Sequence, residues 1–142
     1  MEYTIKQVAE KVELTEYTLR YYEKEGLLPS IDRNEHGVRL FKDNDIEWIR
    51  LICCLRDTGM SILKIKDYVN LCIEGDNTIE LRRQIILNQK IVTEQKIEEM
   101  NKHLDMINRK LKYYNDFIAG KHIDSCNPSN TIKENSNKKA HI

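Results

Sequence analysis

The run Thr18-Leu19-Arg20-Tyr21-Tyr22-Glu23, followed by Glu25-Gly26-Leu27-Leu28-Pro29, constrains this chain more than any other feature. Just before it, Thr4 to Lys11 reads as a helix. Thr4 with Gln7 three residues on fits a capping box, and Ile5, Val8, Ala9 and Val12 give a helical apolar stripe. Glu13-Leu14 makes a turn. Thr15 caps a second helix that runs to about Glu25, where Gly26 ends it and Pro29 forbids continuation. Two short helices with a tight turn predict a helix-turn-helix over about residues 4–25, whose second helix enters a DNA major groove. Arg20, Tyr21 and Tyr22 place a cation and two hydroxyl-tipped rings on that helix, groups that reach phosphates and base edges.

The next segment, residues 29–42, reads as a small hairpin. Ile31-Asp32-Arg33 and Val38-Arg39-Leu40-Phe41 are strand-like, with a turn at Asn34-Glu35-His36-Gly37. A hairpin directly after a helix-turn-helix is a wing, and Arg33 and Arg39 flank its turn where they can straddle a phosphate backbone. Asp43 is expected to cap a helix over 44–58. Gly59 ends it, and Ser61 caps another over 62–74. After Gly75-Asp76-Asn77 comes one segment, roughly 79–118, without Pro or Gly; as a helix it is about 60 Å long. From Gly120 the chain is rich in Asn, Ser and Lys, a composition with no means of burying a core. The expected class is mainly α: a winged helix-turn-helix domain over 1–75, a coiled-coil dimerisation helix over 78–118, and a disordered polar tail over 119–142.

Ile97, Met100, Leu104, Ile107, Leu111, Tyr114 and Ile118 alternate in steps of three and four, an a/d seam. No second long helix exists in the chain to cover it, so a second copy is the natural partner and a symmetric dimer is expected. Upstream, Leu81, Ile85, Ile86, Ile91 and Val92 follow a broader phase that suits packing on the DNA-binding helices.

Composition adds limits. Net charge is zero. Residues 1–71 hold eleven Lys/Arg against thirteen Asp/Glu, so DNA binding has to come from a few placed cations instead of a basic footprint. No apolar run approaches the ~20 residues of a membrane span, and the start Met-Glu-Tyr-Thr lacks the pattern of a signal peptide. Cys53, Cys54, Cys72 and Cys126 have no disulfide-framework spacing, which fits a reduced cytoplasm.

Taken together, these residues resemble the MerR family of bacterial transcription regulators over about residues 3–118. The likeness rests on Tyr3-Thr4-Ile5-x-x-Val8-Ala9, Thr18-Leu19-Arg20-Tyr21-Tyr22-Glu23, Gly26-Leu27-Leu28-Pro29, Arg33, Gly37-Val38-Arg39-Leu40-Phe41, Asp45-Ile46 and Leu55-Arg56-x-x-Gly59-Met60-Ser61, in that order. The resemblance implies a homodimer joined by an antiparallel coiled coil. It also implies a pseudo-palindromic operator between promoter elements with a long spacer, bent and untwisted so that RNA polymerase engages both. Such regulation works through contacts available only on distorted DNA. Carried over by position, Arg20, Tyr21 and Tyr22 are recognition-helix contacts, with one of the two rings packing inward. Tyr17 and Thr18 read bases one turn earlier, Arg39 and Arg33 contact phosphate from the wing, and Lys24 is a further phosphate contact. Leu19, Leu27 and Leu28 are expected in the core.

The family's metal sensors carry a cysteine at the start of the long helix, where this chain reads Asn77-Thr78-Ile79-Glu80. Beyond the helix stand His122 and Cys126 without a partner cysteine, so no metal and no cofactor is expected. Drug-sensing members carry a large C-terminal ligand domain, and only about two dozen residues follow Ile118. On a helical wheel of ~100° per residue, Cys53 joins an apolar stripe with Ile46 and Ile49 and reads as a small buried hydrophobe. Cys54 falls among Glu47, Arg50, Asp57 and Thr58 and reads as the accessible thiol; Arg50 one turn earlier favours its thiolate and Asp57 opposes it. The chain looks most like a short MerR subgroup that responds to aldehydes and other thiol-reactive electrophiles. That subgroup's cysteine maps to Cys54 in Cys54-Leu55-Arg56-x-x-Gly59-Met60-Ser61, which implies Cys54 as sensor. Cys72 is expected in the core.

The leading expectation is a sequence-specific regulator acting on double-stranded promoter DNA. The alternatives are a metal-responsive MerR-type regulator, a DNA-architectural or excision factor, and a coiled-coil adaptor. No Gly-rich phosphate loop and no nucleophile–base pair points to an enzyme.

Overall fold

A computed structural model gives the fold, and it describes residues 1–120, 124 and 126–129. Helix α1 (Ile5–Val12) starts where Thr4 caps it. The Gln7 amide N–H donates to Thr4 Oγ1 at 3.2 Å, and the Thr4 N–H donates back to Gln7 Oε1 at 2.9 Å, a reciprocal capping box. Glu13 then takes a left-handed conformation, φ 57°, in which a residue with a Cβ is strained by about 1–2 kcal/mol. The strain is offset by what the turn gains: the Leu14 N–H reaches Ala9 O at 3.0 Å, and α2 (Glu16–Lys24) is set off at once. Thr15 caps α2, its Oγ1 accepting from the Thr18 N–H at 3.1 Å.

Strands β2 (Asp32–Arg33) and β3 (Arg39–Lys42) form the wing, antiparallel with Arg33 opposite Arg39. Asn34 builds the turn: its Oδ1 accepts from the His36 and Val38 N–H groups, and Gly37 supplies φ 75°. A third strand, β1 (Glu2–Tyr3), lies on the other side of β3, giving the order β1-β3-β2. The sequence reading contained no such strand. Two residues carry no periodicity; pairing with Phe41 and Lys42 and the bond from Tyr3 Oη to Asp43 Oδ1 at 2.8 Å hold it.

Helix α3 spans Asp43–Asp57. Its cap is Lys42, one residue before the expected Asp43, and Asp45 Oδ2 accepts from the Lys42 N–H at 2.8 Å. Helix α4 (Ile62–Glu74) is capped by Ser61 Oγ as expected. A 3-10 turn, Asp76–Thr78, leads to α5 (Ile79–Ile118), 40 residues without a break. One core joins these elements: Val8, Leu19, Tyr22, Leu27, Phe41, Ile49, Ile52, Ile65 and Val69 are fully buried. Trp48 braces it by stacking on Tyr68 and donating its indole N–H to Leu27 O at 2.9 Å.

The chain divides into two compact units, Met1–Glu94 and Gln95–Ile142. The boundary expected at residue 75 thus falls inside the first unit. Gly75 ends a helix but not the packing: Ile85 lies against the core, and the Gln89 side-chain amide donates to Thr58 O at 3.1 Å and Thr58 Oγ1 at 2.8 Å. The other apolar residues of this stretch, Leu81, Ile86, Ile91 and Val92, stay exposed, contrary to the expectation that they cover the DNA-binding helices.

Candidate nucleic-acid interface and thiols

Helix α2 has two faces. Leu19 and Tyr22 point into the core; Tyr17, Arg20, Tyr21 and Lys24, one helical turn apart, are exposed, Tyr17 to 79%. Thr18 is half-buried, with its hydroxyl 2.8 Å from that of Thr15. Arg20 makes a loose exposed pair, Nη2 lying 3.8 Å from Glu16 Oε1.

Tyr22 is a correction. Expected among the DNA contacts, it is 1% exposed. A buried phenol needs a partner for its hydroxyl, and Arg56 of α3 donates to it from Nη1 while its guanidinium stands 5.6 Å from the ring centroid. That hydrogen bond also pushes the Arg56 pKa up. Arg56 therefore ties α3 to the recognition helix.

The two wing arginines are both engaged by one carboxylate. Glu23, at the end of α2, accepts from Arg33 Nη2 on Oε1 at 2.9 Å and from Arg39 Nε on Oε2 at 2.9 Å. Arg33 also donates to Gly37 O at 2.9 Å across the wing turn. The expected straddling pair is thus part of a three-residue ion cluster joining wing to recognition helix. Lys42 pairs with Asp32 at 2.7 Å across β2 and β3, and that contact raises its pKa.

All four cysteines are free thiols. Cys53 is half-buried against the core, and desolvation pushes its thiol pKa up. Cys54 is exposed. Its carbonyl accepts from both the N–H and the hydroxyl of Thr58, each at 3.0 Å. Arg50, expected to favour the Cys54 thiolate, instead pairs with Glu47 at 2.9 Å. Cys72 is half-buried and hydrogen-bonded with Tyr68. Cys126 is exposed, and hydrogen bonds from Lys110 and then Tyr114 draw its thiol below the ordinary pKa. Lys110 also sits 4.7 Å from the Tyr113 ring centroid. His122, named with Cys126 as a possible metal pair, lies outside the described residues. Among the described residues no group of three His, Cys, Asp or Glu side chains is placed to hold a metal.

The profile described as MerR HTH family regulatory protein matches residues 3–72. A Haemophilus influenzae protein known as an uncharacterized HTH-type transcriptional regulator is 44% identical over 114 residues, covering 80% of this chain and 84% of that protein. This chain belongs to the MerR family. The HTH-type transcriptional regulator AdhR of Bacillus subtilis is 43% identical over 86 residues, 61% of each chain. Among solved structures, HiNmlR, a MerR family regulator lacking the sensor domain and crystallised bound to promoter DNA, superposes with TM-score 0.77 at 43% identity. That match covers 84% of this chain and 94% of HiNmlR.

As a MerR-family member the chain is a DNA-binding transcription regulator. A coiled coil and a homodimer fit both the family and α5, on which Ile97, Met100, Leu104, Ile107, Leu111, Tyr114 and Ile118 are all exposed. No described helix is long and apolar enough to cross a membrane. Sequence reasoning missed three residues of this MerR head and helix: Glu23, Arg56 as the partner of Tyr22, and Lys110 as the neighbour of Cys126. Glu23 and Arg56 were visible only as motif letters, and Lys110 acts through a contact with no local signature.

Proposed function

We propose that this protein is a homodimeric cytoplasmic regulator. It binds a pseudo-palindromic promoter operator with a long spacer, and distorts that DNA when an electrophile modifies Cys54. Tyr17, Thr18, Arg20, Tyr21 and Lys24 contact the major groove and its flanking phosphates, and Arg33 and Arg39 contact phosphate from the wing. The seam residues Ile97 to Ile118 pair with those of the second copy. Supporting the regulator reading is the likeness to HiNmlR, which carries no sensor domain and is bound to promoter DNA.

The observation that carries the effector reading is where Cys54 sits. Its thiol is exposed, while its own carbonyl is held by Thr58, which is in turn gripped by Gln89 of α5. Two residues further on, Arg56 holds Tyr22 of the recognition helix. A group added at this turn of α3 acts on both the recognition helix and the long helix. With an aldehyde, the thiolate sulfur forms a bond to the carbonyl carbon. The carbonyl π pair moves to oxygen, which takes a proton from water, and nothing is oxidised or reduced.

The test is in vitro transcription from the promoter beside this gene, with wild type and Cys54→Ser, each with and without a small aldehyde. Induction in wild type alone supports the reading; equal responses contradict it. A second reading is favoured by one observation, the hydrogen bonds that lower the Cys126 thiol. There the thiolate persists to lower pH, so alkylation of Cys126 in a chain lacking the other cysteines should reach half its plateau rate below the ordinary thiol range of about 8.5. Lys110→Ala should move that midpoint up. Loss of induction in Cys126→Ser but not Cys54→Ser would move the sensor to the tail.

A further inference from the structure

Arg33 and Arg39 are direct cross-strand partners in the wing. Two like charges at opposed positions of an antiparallel pair repel. What stands between them is Glu23, whose two carboxylate oxygens each take one guanidinium at 2.9 Å. The carboxylate is only 25% exposed and Arg39 only 23%, so the contact is partly shielded from water. Arg39 spends Nε on Glu23; among the described residues its terminal nitrogens Nη1 and Nη2 have no hydrogen-bond partner. A guanidinium anchored along one edge presents its other donors in a fixed direction, the geometry that suits a phosphate oxygen. The cluster carries one net positive charge in place of two, on a head whose first 71 residues have more carboxylates than cations.

We propose that Glu23 is a specificity-determining positioning residue: it anchors Arg39 and Arg33 for phosphate contacts at the operator and withholds one positive charge from DNA of any other sequence. The proposal rests on the wing-contact reading above. Charge alone draws the protein to every duplex. An arginine already fixed in its bound conformation loses less freedom on binding, but only where the DNA shape presents a phosphate at that place. Glu23 thereby trades general affinity for discrimination.

The experiment measures binding to two duplexes across a salt series. One is the duplex that the wild-type dimer selects from a random pool; the other is the same composition scrambled. Glu23→Gln keeps the side-chain shape and removes the charge. The expected result is tighter binding to the scrambled duplex, with a salt slope steeper by about 0.9, and weaker binding to the selected duplex. Their affinity ratio should fall by about tenfold. An unchanged ratio, with both affinities rising together, overturns the proposal, since Glu23 is then only a charge. Arg39→Gln serves as the control for the underlying reading. If it lowers the slope on the selected duplex while Glu23→Gln leaves the ratio alone, the wing touches DNA and Glu23 does not position it. If neither variant changes anything, the wing reading fails and the proposal with it. If Glu23→Gln does not fold, Arg33→Met removes the repulsion, and the pair Arg33→Met with and without Glu23→Gln is compared. A several-fold lower ratio in the double variant supports the anchoring of Arg39; equal ratios overturn it.

Discussion

Buried isoleucines among the described residues all lie in the first of the two units of this chain. In the first unit Ile49, Ile52 and Ile65 are fully buried, whereas in the second Ile107 is 63% exposed and its seam neighbours are exposed as well. The first unit buries a core within its own chain, although Leu63, Ile73, Leu81, Ile86, Ile91 and Val92 of that unit stay exposed. The second presents a narrow stripe on a single helix, exposed from Ile97 to Ile118. The difference teaches that the first unit holds a core of its own, while the second offers an apolar stripe that fits a partner helix. A helix with an exposed a/d seam is stabilised by a partner helix more than by its own propensities.

The largest expected effect breaks the first half. Tyr22→Ala should cost about 3–5 kcal/mol of head stability, the range for deleting a large buried ring, and also leaves Arg56 without its acceptor. Tyr22→Phe should cost about 1 kcal/mol, the hydrogen bond alone. Chemical denaturation of both variants checks this; a Tyr22→Ala protein as stable as wild type would show that the ring is not core. The next variant acts on the second half only. Ile107→Asp puts a carboxylate into the seam, and an unpaired charge buried there should shift sedimentation from dimer to monomer. The unfolding of the head should be unmoved. A dimer that survives would place the interface elsewhere. Third, Arg20→Ala should weaken operator binding by about 1–3 kcal/mol per contact and leave both dimer and melting temperature intact, since Arg20 is exposed and its ion pair with Glu16 is loose. Unchanged affinity would remove α2's exposed face from the interface. The smallest effect is at a cap: Thr15→Ala should cost about 1 kcal/mol of head stability, read as a lower denaturation midpoint with no change in sedimentation.

Much of this was legible in the sequence because it is local. The caps at Thr4, Thr15 and Ser61 act within three residues of themselves, and the structure has each hydrogen bond in place. The wing turn is set by Asn34 and Gly37, again within its own residues. The seam's alternating spacing needs no tertiary knowledge either. Strand β1 was invisible because its pairing with β3 reaches across some forty residues. Tyr21 and Tyr22 look alike in sequence, and only the packing of α2 decides which ring turns inward. The Glu23 cluster follows from bringing residues 23, 33 and 39 together, which no spacing rule contains. The hydrogen bonds of Cys126 with Lys110 and Tyr114 have the same origin.

The central claim is that the head reads DNA and the long helix supplies the second head. Sedimentation equilibrium of the full chain on the duplex it selects from a random pool tests it most directly. Two chains per duplex, falling to no stable complex with Ile107→Asp, is the predicted result. One chain per duplex bound as tightly as wild type would contradict it.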